Sequence, residues 1–256
     1  MRILMIGDVV GRPGRRAVKS VLPSLKEELA IDFVTANGEN SAGGFGVTLE
    51  TAKELFSAGV DVITSGNHIW DQRDIYPHLK TNLPVLRPLN YPPSAIGRGH
   101  ALVKDVMVIN LLGRVFVGTV ECPFRAVDAL LTGLKDRPRA IVVDFHAEAS
   151  SEKMALGWYL DGRVSAVAGT HTHVPTADAR ILPKGTGFVH DLGMAGTLNS
   201  VIGFRTEDAL VRFLDQTPHK LNVEDRGPLR FNSVLFEVDE TTGKATSVRR
   251  TDRDVL

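Results

Sequence analysis

Asp8, Glu39, Asn40, Asn67, His68, His146, His171 and His173 each stand at or just past the end of a short apolar run. Arg2–Gly7 leads into Asp8, and Ile31–Gly38 into Glu39 and Asn40. Val60–Gly66 leads into Asn67 and His68, Ala140–Phe145 into His146, and Val164–Thr170 into His171 and His173. These donors are carboxylates, amide oxygens and imidazoles without sulfur, a set that suits Mn, Fe, Zn or Co. They are too many for one tetrahedral zinc ion and fit a two-metal centre. Two cations roughly 3.5–4 Å apart acidify a shared water and clamp both oxygens of an in-line displacement, the chemistry of phosphate-ester hydrolysis. His68 follows Asn67 directly and so points the other way along the chain. That leaves it as the candidate acid for a leaving alkoxide.

The runs that carry these residues are β-branched and bounded by Gly and polar residues, as buried strands are. Open α/β sheets bind ligands at the carboxyl ends of such strands. On a strand end, His171 and His173 would face the same side, because side-chain direction repeats every second residue. Gly11-Arg-Pro-Gly14 reads as a turn, followed by a helix from about Arg15 to Ala30 on the stripe Val18, Val21, Leu22, Leu25 and Leu29. Pro23 is expected to kink or divide it. The glycines of Ser41–Gly46 imply a backbone that turns sharply or passes close to something, and Thr48 reads as the N-cap of a helix to about Ala58. Val85–Arg98 reads as loop, Leu102–Leu112 as a hairpin broken near Lys104-Asp105, and Phe124–Leu134 and Ser151–Leu160 as helices. Phe231–Asp239 and Ala245–Arg250 flank Glu240-Thr-Thr-Gly243, a hairpin signature. Parallel units first and antiparallel strands later point to two sheets or a mixed one.

No linker or charge block divides the 256 residues, so one domain over 1–256 is expected. Lys+Arg and Asp+Glu both number 30, which argues against a protein that coats long nucleic acid but not against a small phosphate ester. Arg12, Arg15, Arg16 and Lys19 read as a solvated helix face, although Arg12 could also meet a phosphate. Cys122 is the lone cysteine, which leaves no internal disulfide or thiolate cluster. Met1–Gly7 is short for a signal peptide, and no run nears the ~18 apolar residues of a membrane span. A cytoplasmic protein without a membrane partner is therefore expected, with a homo-oligomer left open. His78, His100, His190 and His219 belong to no convergent set and read as structural. Trp70 and Trp158 read as core or lid residues, and Phe45 as a residue able to stack on a base. The spacing Gly7-x-x-x-Gly11-x-x-Gly14 is wrong for a dinucleotide fold, and no Gly-x-Ser-x-Gly marks a serine hydrolase.

Gly7-Asp8, Gly38-Glu39-Asn40, Gly66-Asn67-His68, His146 and Gly169-Thr-His171-Thr-His173 resemble the ordered motifs of the calcineurin-like metallophosphoesterases. They resemble more closely the bacterial YmdB-like branch, described as 2′,3′-cyclic-nucleotide phosphodiesterases. Gly7-Asp-Val-Val-Gly-Arg-Pro-Gly14, Glu39-Asn-Ser-Ala-Gly-Gly-Phe-Gly46 and Gly66-Asn-His-Ile-Trp-Asp71 carry that closer match, which runs to about residue 205. The resemblance implies an α/β fold, an αββα sandwich of two mixed β-sheets flanked by helices. It implies that Asp8, Glu39 and His173 hold one metal, and that Glu39, Asn67, His146 and His171 hold a second, with Glu39 bridging. Fe or Mn leads, with Zn or Co as alternatives. Asn40 would touch the phosphate or complete the first metal's shell, and His68 would act as acid or charge stabiliser. The implied activity is hydrolysis of small phosphate diesters, 2′,3′-cyclic nucleotides above all, by a metal-bridging hydroxide. A phosphomonoesterase, an RNA-processing nuclease, or a regulatory metal- or nucleotide-binding protein with slow catalysis are the alternatives. Two departures matter. Val10 stands where the wider superfamily has a histidine, so the first metal is one imidazole short. Ile69 stands where an acidic residue often follows Asn-His, which leaves Asp71 to orient His68.

Overall fold

The computed structural model describes residues 1–255. The chain opens with β1 (Arg2–Val9), α1 (Gly11–Leu29), β2 (Phe33–Asn37), α2 (Leu49–Ala58), β3 (Val62–Thr64) and α3 (Tyr76–Leu79). Its middle holds β4 (His100–Val103), β5 (Val106–Leu112), α4 (Pro123–Thr132), β6 (Ala140–His146), α5 (Ser150–Leu160) and β7 (Ala166–Thr170). Then follow β8 (Arg180–Ile181), β9 (Gly187–Val189), β10 (Met194–Thr197) and α6 (Thr206–Asp215). The chain closes with β11 (Leu229–Phe231), β12 (Ser233–Val238), β13 (Ala245–Arg250) and β14 (Arg253–Val255).

Strand β1 organises the first sheet. On one side it runs parallel to β2, which is parallel to β3. Its other side is shared along its length. Arg2 to Ile6 pair antiparallel with β12, and Asp8 and Val9 pair parallel with β10. β13 extends the first branch, and β11 and β14 the second. The second sheet has the order β4-β5-β6-β7-β9-β8, with four parallel strands inside and antiparallel strands at both edges.

Alternation along β1 divides the core. Ile3 and Met5 face the second sheet and join Phe33, Val108, Val142 and Ala168, whereas Leu4 and Ile6 face α1 and α2 with Val18, Leu22 and Leu55. Val127, Leu156 and Leu160 cover the far side of the second sheet. Both sheets are thus buried on both faces, which is why their strands read as unbroken apolar runs. The architecture is the αββα sandwich expected from the sequence.

Local details differ from expectation. Gly11–Gly14 is not a turn before α1 but its first turn, where a proline is tolerated because its missing N–H has no helical partner to bond. Pro23 lies inside α1, which continues through it. β3 stops at Thr64, two residues before its apolar run ends, whereas β7 ends at Thr170 together with its run. Lys104 and Asp105 take φ values of 50° and 62° and form the two-residue turn between β4 and β5. No helix among the described residues is long and apolar enough to cross a membrane.

Candidate active site

The carboxyl ends of β1, β2 and β3 in one sheet meet those of β6 and β7 in the other. Asp8 sits within β1 and His146 is the last residue of β6, both fully buried. Glu39 and Asn40 follow β2, and Asn67 and His68 follow β3. Beneath them a polar bridge joins the sheets. Asp144 accepts hydrogen bonds from Thr64 Oγ1, Asn37 Nδ2 (3.2 Å) and Thr170 Oγ1 (2.7 Å), and Asn37 Oδ1 accepts from the Glu39 backbone N–H at 3.1 Å.

His171 and His173 are not on a strand, contrary to the sequence expectation. They lie in the turn after β7, with φ of 100° and 64°. Left-handed backbone at non-glycine residues costs about 1–3 kcal/mol each and persists where surrounding bonds fix it. Here the His171 N–H donates to Asp8 Oδ2 at 3.0 Å, and Thr172 donates its N–H and hydroxyl to Asp191 Oδ2 at 3.3 and 2.8 Å. The turn therefore aims both imidazoles inward by a route that strand periodicity does not provide.

Glu39, His146 and His171 offer ligand atoms that all lie within 4.8 Å of one another. His146 Nε2 is 2.9 Å from Glu39 Oε1 and 3.0 Å from His171 Nδ1. Adjacent ligands on a six-coordinate ion with bonds of roughly 2.1 Å lie about 3 Å apart, so these separations match the edges of one coordination shell. Asp8 and His173 stand beside this group, with His173 Nε2 3.7 Å from Asp8 Oδ1.

The second nitrogen of each histidine is tied down. His146 Nδ1–H donates to Thr170 Oγ1 at 2.9 Å, and that hydroxyl passes the bond on to Asp144. His171 Nε2 is 3.2 Å from Glu148 Oε2, and His173 Nδ1–H donates to the Ile202 carbonyl at 2.8 Å. These partners leave the bare nitrogens of all three rings facing the centre, the arrangement by which outer acceptors orient metal-binding imidazoles.

Five buried side-chain polar atoms among the described residues lack any hydrogen-bond partner, and three are Asp8 Oδ1, Asn40 Oδ1 and Asn67 Oδ1. An unsatisfied buried acceptor costs about 1–3 kcal/mol. Three such oxygens, on residues at or just past the same strand ends as the inward-facing nitrogens, are of a type that fits metal ions and have no protein partner. Asn40 Nδ2 is already spent on the Gly44 carbonyl at 2.9 Å, so what Asn40 offers the site is oxygen.

Electrostatics point the same way. Burial pushes the Asp8 carboxyl up to about 6, against the pull of His173 and His146. Burial would also raise Glu39, but the adjacent His146 and His68 together outweigh it and hold Glu39 at about 2. Conversely, burial would lower His146, but Glu39, Asp8 and Asp144 lift it to about 9. Burial and the His146 charge together drive His171 down to about 3. The protein alone places one proton where several anions need compensation, and a cation is the natural replacement.

His68 stands apart from the cluster. Its backbone N–H donates to Glu39 Oε2 at 3.0 Å, while its Nδ1 is 2.7 Å from Asp71 Oδ2. Phe45 meets the ring edge-on at 5.1 Å and is itself stacked on Phe204 at 5.5 Å. The glycine-rich loop that presents Phe45 is tightly hemmed in: a Cβ at Gly44 (φ 100°) would come within 2.9 Å of Val223, and one at Gly46 (φ 82°) within 2.6 Å of Gln72. Val10 is fully buried against Gly203 and contributes no polar group.

A model of the family described as YmdB-like protein matches residues 4–251. The chain belongs to the YmdB-like family. A 2′,3′-cyclic-nucleotide 2′-phosphodiesterase of Bacillus subtilis (strain 168) is 44% identical over 254 residues, covering 98% of this chain and 96% of that protein. The crystal structure of a hypothetical protein from Thermus thermophilus superposes with a TM-score of 0.94 at 42% identity, covering 100% of both chains. One described as a novel phosphatase, from Mycoplasma pneumoniae, gives 0.93 at 34% identity, covering 100% of this chain and 94% of that one.

The supporting residues of this YmdB-like site escaped the sequence reading. Asp144 alone left a signal, as a charge inside the apolar run Ala140–Phe145. Thr170, Glu148, Lys153 and Asp191 left none. Arg12 is ion-paired with Asp225, and Arg15 with Glu54 while also bonding the Ser41 carbonyl, so both act within the fold. Trp70 packs edge-on against Tyr91, but Trp158 is half exposed on α5 rather than in the core. His78, His100, His190 and His219 do not join the cluster, and His219 pairs with Asp208 at 3.2 Å.

Proposed function

We propose that this chain is a metal-dependent phosphodiesterase that opens small phosphate diesters, with 2′,3′-cyclic nucleotides as its substrates. That it is a phosphoesterase follows from its family and from the names its relatives carry. The metal-dependent reading is supported by one observation: Glu39 Oε1, His146 Nε2 and His171 Nδ1 are spaced as in one coordination shell, and the same strand ends carry three buried side-chain oxygens without partners.

Asp8, Glu39 and His173 would hold one ion, and Glu39, Asn67, His146 and His171 another, with Asn40 Oδ1 available to the first. Bound divalent ions supply the positive charge that activates water and neutralises phosphoryl oxygens. The chain's own residues do the rest. Asp71 on Nδ1 and the Phe45 edge fix the His68 ring, so Nε2 is the atom that meets the leaving group. As a water oxygen bonds to phosphorus and the P–O2′ bond breaks, His68 Nε2 gives its proton to the departing ribose oxygen. The water's displaced proton returns to solvent, and the product is a 3′-monophosphate. A strained cyclic diester needs little further recognition, in keeping with a formal net charge of zero.

The test is a substrate panel on protein reconstituted with Mn or Fe: 2′,3′-cyclic AMP, 3′,5′-cyclic AMP, p-nitrophenyl phosphate and single-stranded RNA. Fastest turnover is expected on the 2′,3′-cyclic substrate. A metal-loaded protein that leaves it intact would end the proposal.

A further inference from the structure

One exposed feature beside the site has no part in the chemistry above. The loop joining β5 to α4 springs from the sheet edge next to His146, since Leu112 is paired with His146 and the Gly113 N–H donates to the His146 carbonyl at 2.9 Å. Both ends of this loop are stapled by Asn90, which is 1% exposed. The Asn90 side chain bonds the Leu112 N–H and carbonyl and the Glu121 carbonyl at 2.8–2.9 Å, and its backbone carbonyl takes the Glu121 N–H at 3.0 Å. Glu152 holds the Arg114 and Val115 N–H groups at 3.0–3.3 Å.

A loop anchored this firmly nonetheless presents Phe116 at 89% exposure, in left-handed backbone with φ 63°. The two anchored ends of the loop, at Arg114 and Glu121, line a cleft of about 390 Å³ together with Asn90, Tyr91 and Arg125 among others. The guanidiniums of Arg114 and Arg125 make no ion pair or hydrogen bond within the described residues, and Glu121 is the one acidic group in the lining. Tyr91 forms the wall towards the catalytic side. It packs on Trp70, two residues after His68, and the charges of Glu39 and Asp71 reach its hydroxyl.

We propose that this cleft binds the nucleotide upstream of the cyclic phosphate, so that the preferred substrate is the 2′,3′-cyclic 3′ end of a short oligoribonucleotide rather than a free mononucleotide. The proposal rests on the phosphodiesterase reading above. With the terminal cyclic phosphate beside His68, the chain leaving its ribose 5′ oxygen passes Tyr91 and places the preceding phosphate between Arg114 and Arg125. Two guanidiniums suit one phosphodiester, and Phe116, exposed on the same loop two residues after Arg114, is the ring available to the preceding base, the pairing of charge with stacking used to hold single strands. The zero net charge provides no basic track beyond this, which limits the contact to a nucleotide or two.

The experiment compares kcat/KM for 2′,3′-cyclic AMP with that for the dinucleotide ApA ending in a 2′,3′-cyclic phosphate, on metal-loaded wild type, Arg114→Gln/Arg125→Gln and Phe116→Ala. The wild type is expected to favour the dinucleotide by about tenfold, and the ratio to fall towards one in the double variant because the dinucleotide rate falls. Phe116→Ala should lower the ratio in part. Equal rates in the wild type, or a preference that survives the double substitution, overturn the proposal. If Phe116→Ala changes the size-exclusion mass and not the ratio, the loop is a protein interface and the proposal is likewise overturned. Hydrolysis of neither substrate would instead refute the phosphodiesterase reading and take this one with it.

Discussion

Lys153 Nζ lies 2.6 Å from Asp191 Oδ2, and both side chains are shut off from solvent. A buried ion pair is a poor source of stability, and breaking one by removing a single partner costs about 3–5 kcal/mol. Its value here lies in what Asp191 also holds. The same carboxylate receives Thr172, the residue between His171 and His173, and takes the Gly193 N–H at 2.8 Å. Lys153 neutralises a carboxylate that would otherwise add to the negative charge around Asp8. Lys153→Met should therefore lower the unfolding free energy by about 3–5 kcal/mol and weaken metal retention in the folded fraction. Thr172→Val separates the two effects. It leaves the ion pair intact, costs about 1 kcal/mol in chemical denaturation, and should still weaken metal binding in a chelator competition. Wild-type metal affinity in Thr172→Val would show that this anchor does not set the histidine geometry.

Thr170 relays the Asp144 carboxylate to His146. With valine in its place the shape is kept, but His146 Nδ1–H loses its acceptor and Asp144 loses a donor. Loss of such an outer partner costs roughly 10–100-fold in metal affinity or activity. Thr170→Val should fall in that range by metal titration, with Thr170→Ser close to wild type. Equal losses in the two variants would point to packing, not to the relay.

How far the site was legible depended on where each residue sits. Asp8 and His146 end apolar runs inside true strands, so the sequence located them and the surrounding hydrogen bonds place them together. Asn67 lies three residues past the end of β3, and His171 and His173 lie past β7 in left-handed backbone. There the run still announced the residue, but strand alternation predicted the wrong route to the centre. The fork beside β1 was not legible at all. It turns on Asn232, whose carbonyl takes the Gly7 N–H while its N–H reaches the Met194 carbonyl and its side-chain oxygen the Met194 N–H. One polar residue between β11 and β12 thus lets two strands share one edge, and no local pattern encodes that. Support of the Asp191 kind is equally silent, and Asp144 showed only as a charge inside an apolar run without its partners, because such bonds join residues tens of positions apart.

His68 should separate catalysis from metal binding. Its ring is held by Asp71 and Phe45 and not by the cluster. His68→Ala should lower kcat on 2′,3′-cyclic AMP by about 10²–10⁴-fold, the usual worth of a positioned acid, with the metal content of purified protein unchanged. Asp71→Asn keeps a side chain near Nδ1 but removes the carboxylate, and should cost less. Undiminished turnover in His68→Ala would remove His68 from the mechanism.

Protein stripped of metal should lose stability as pH rises from 6.5 to 9, and loaded protein should not. In the folded chain His146 is raised from its ordinary 6.5 to about 9, so its contribution is complete below 6.5 and is lost as pH climbs through about 9. Asp8, raised from 3.8 to about 6, works in the same direction over a lower window: its contribution is present below 3.8 and is lost by the time pH passes about 6. Glu39 has the opposite sign. Held at about 2 instead of 4.5, it stabilises above 4.5 and loses that contribution as pH falls through about 2. Of these three groups only His146 changes between pH 6.5 and 9, and the cause is the anionic charge of Glu39, Asp8 and Asp144 acting on a buried ring. A bound cation would supply that charge without a proton. Urea midpoints of chelator-treated protein should therefore fall between pH 6.5 and 9, while those of the metal-loaded form stay level over the same range. Parallel slopes for the two forms would mean that His146 keeps its proton when metal is bound and is not a ligand.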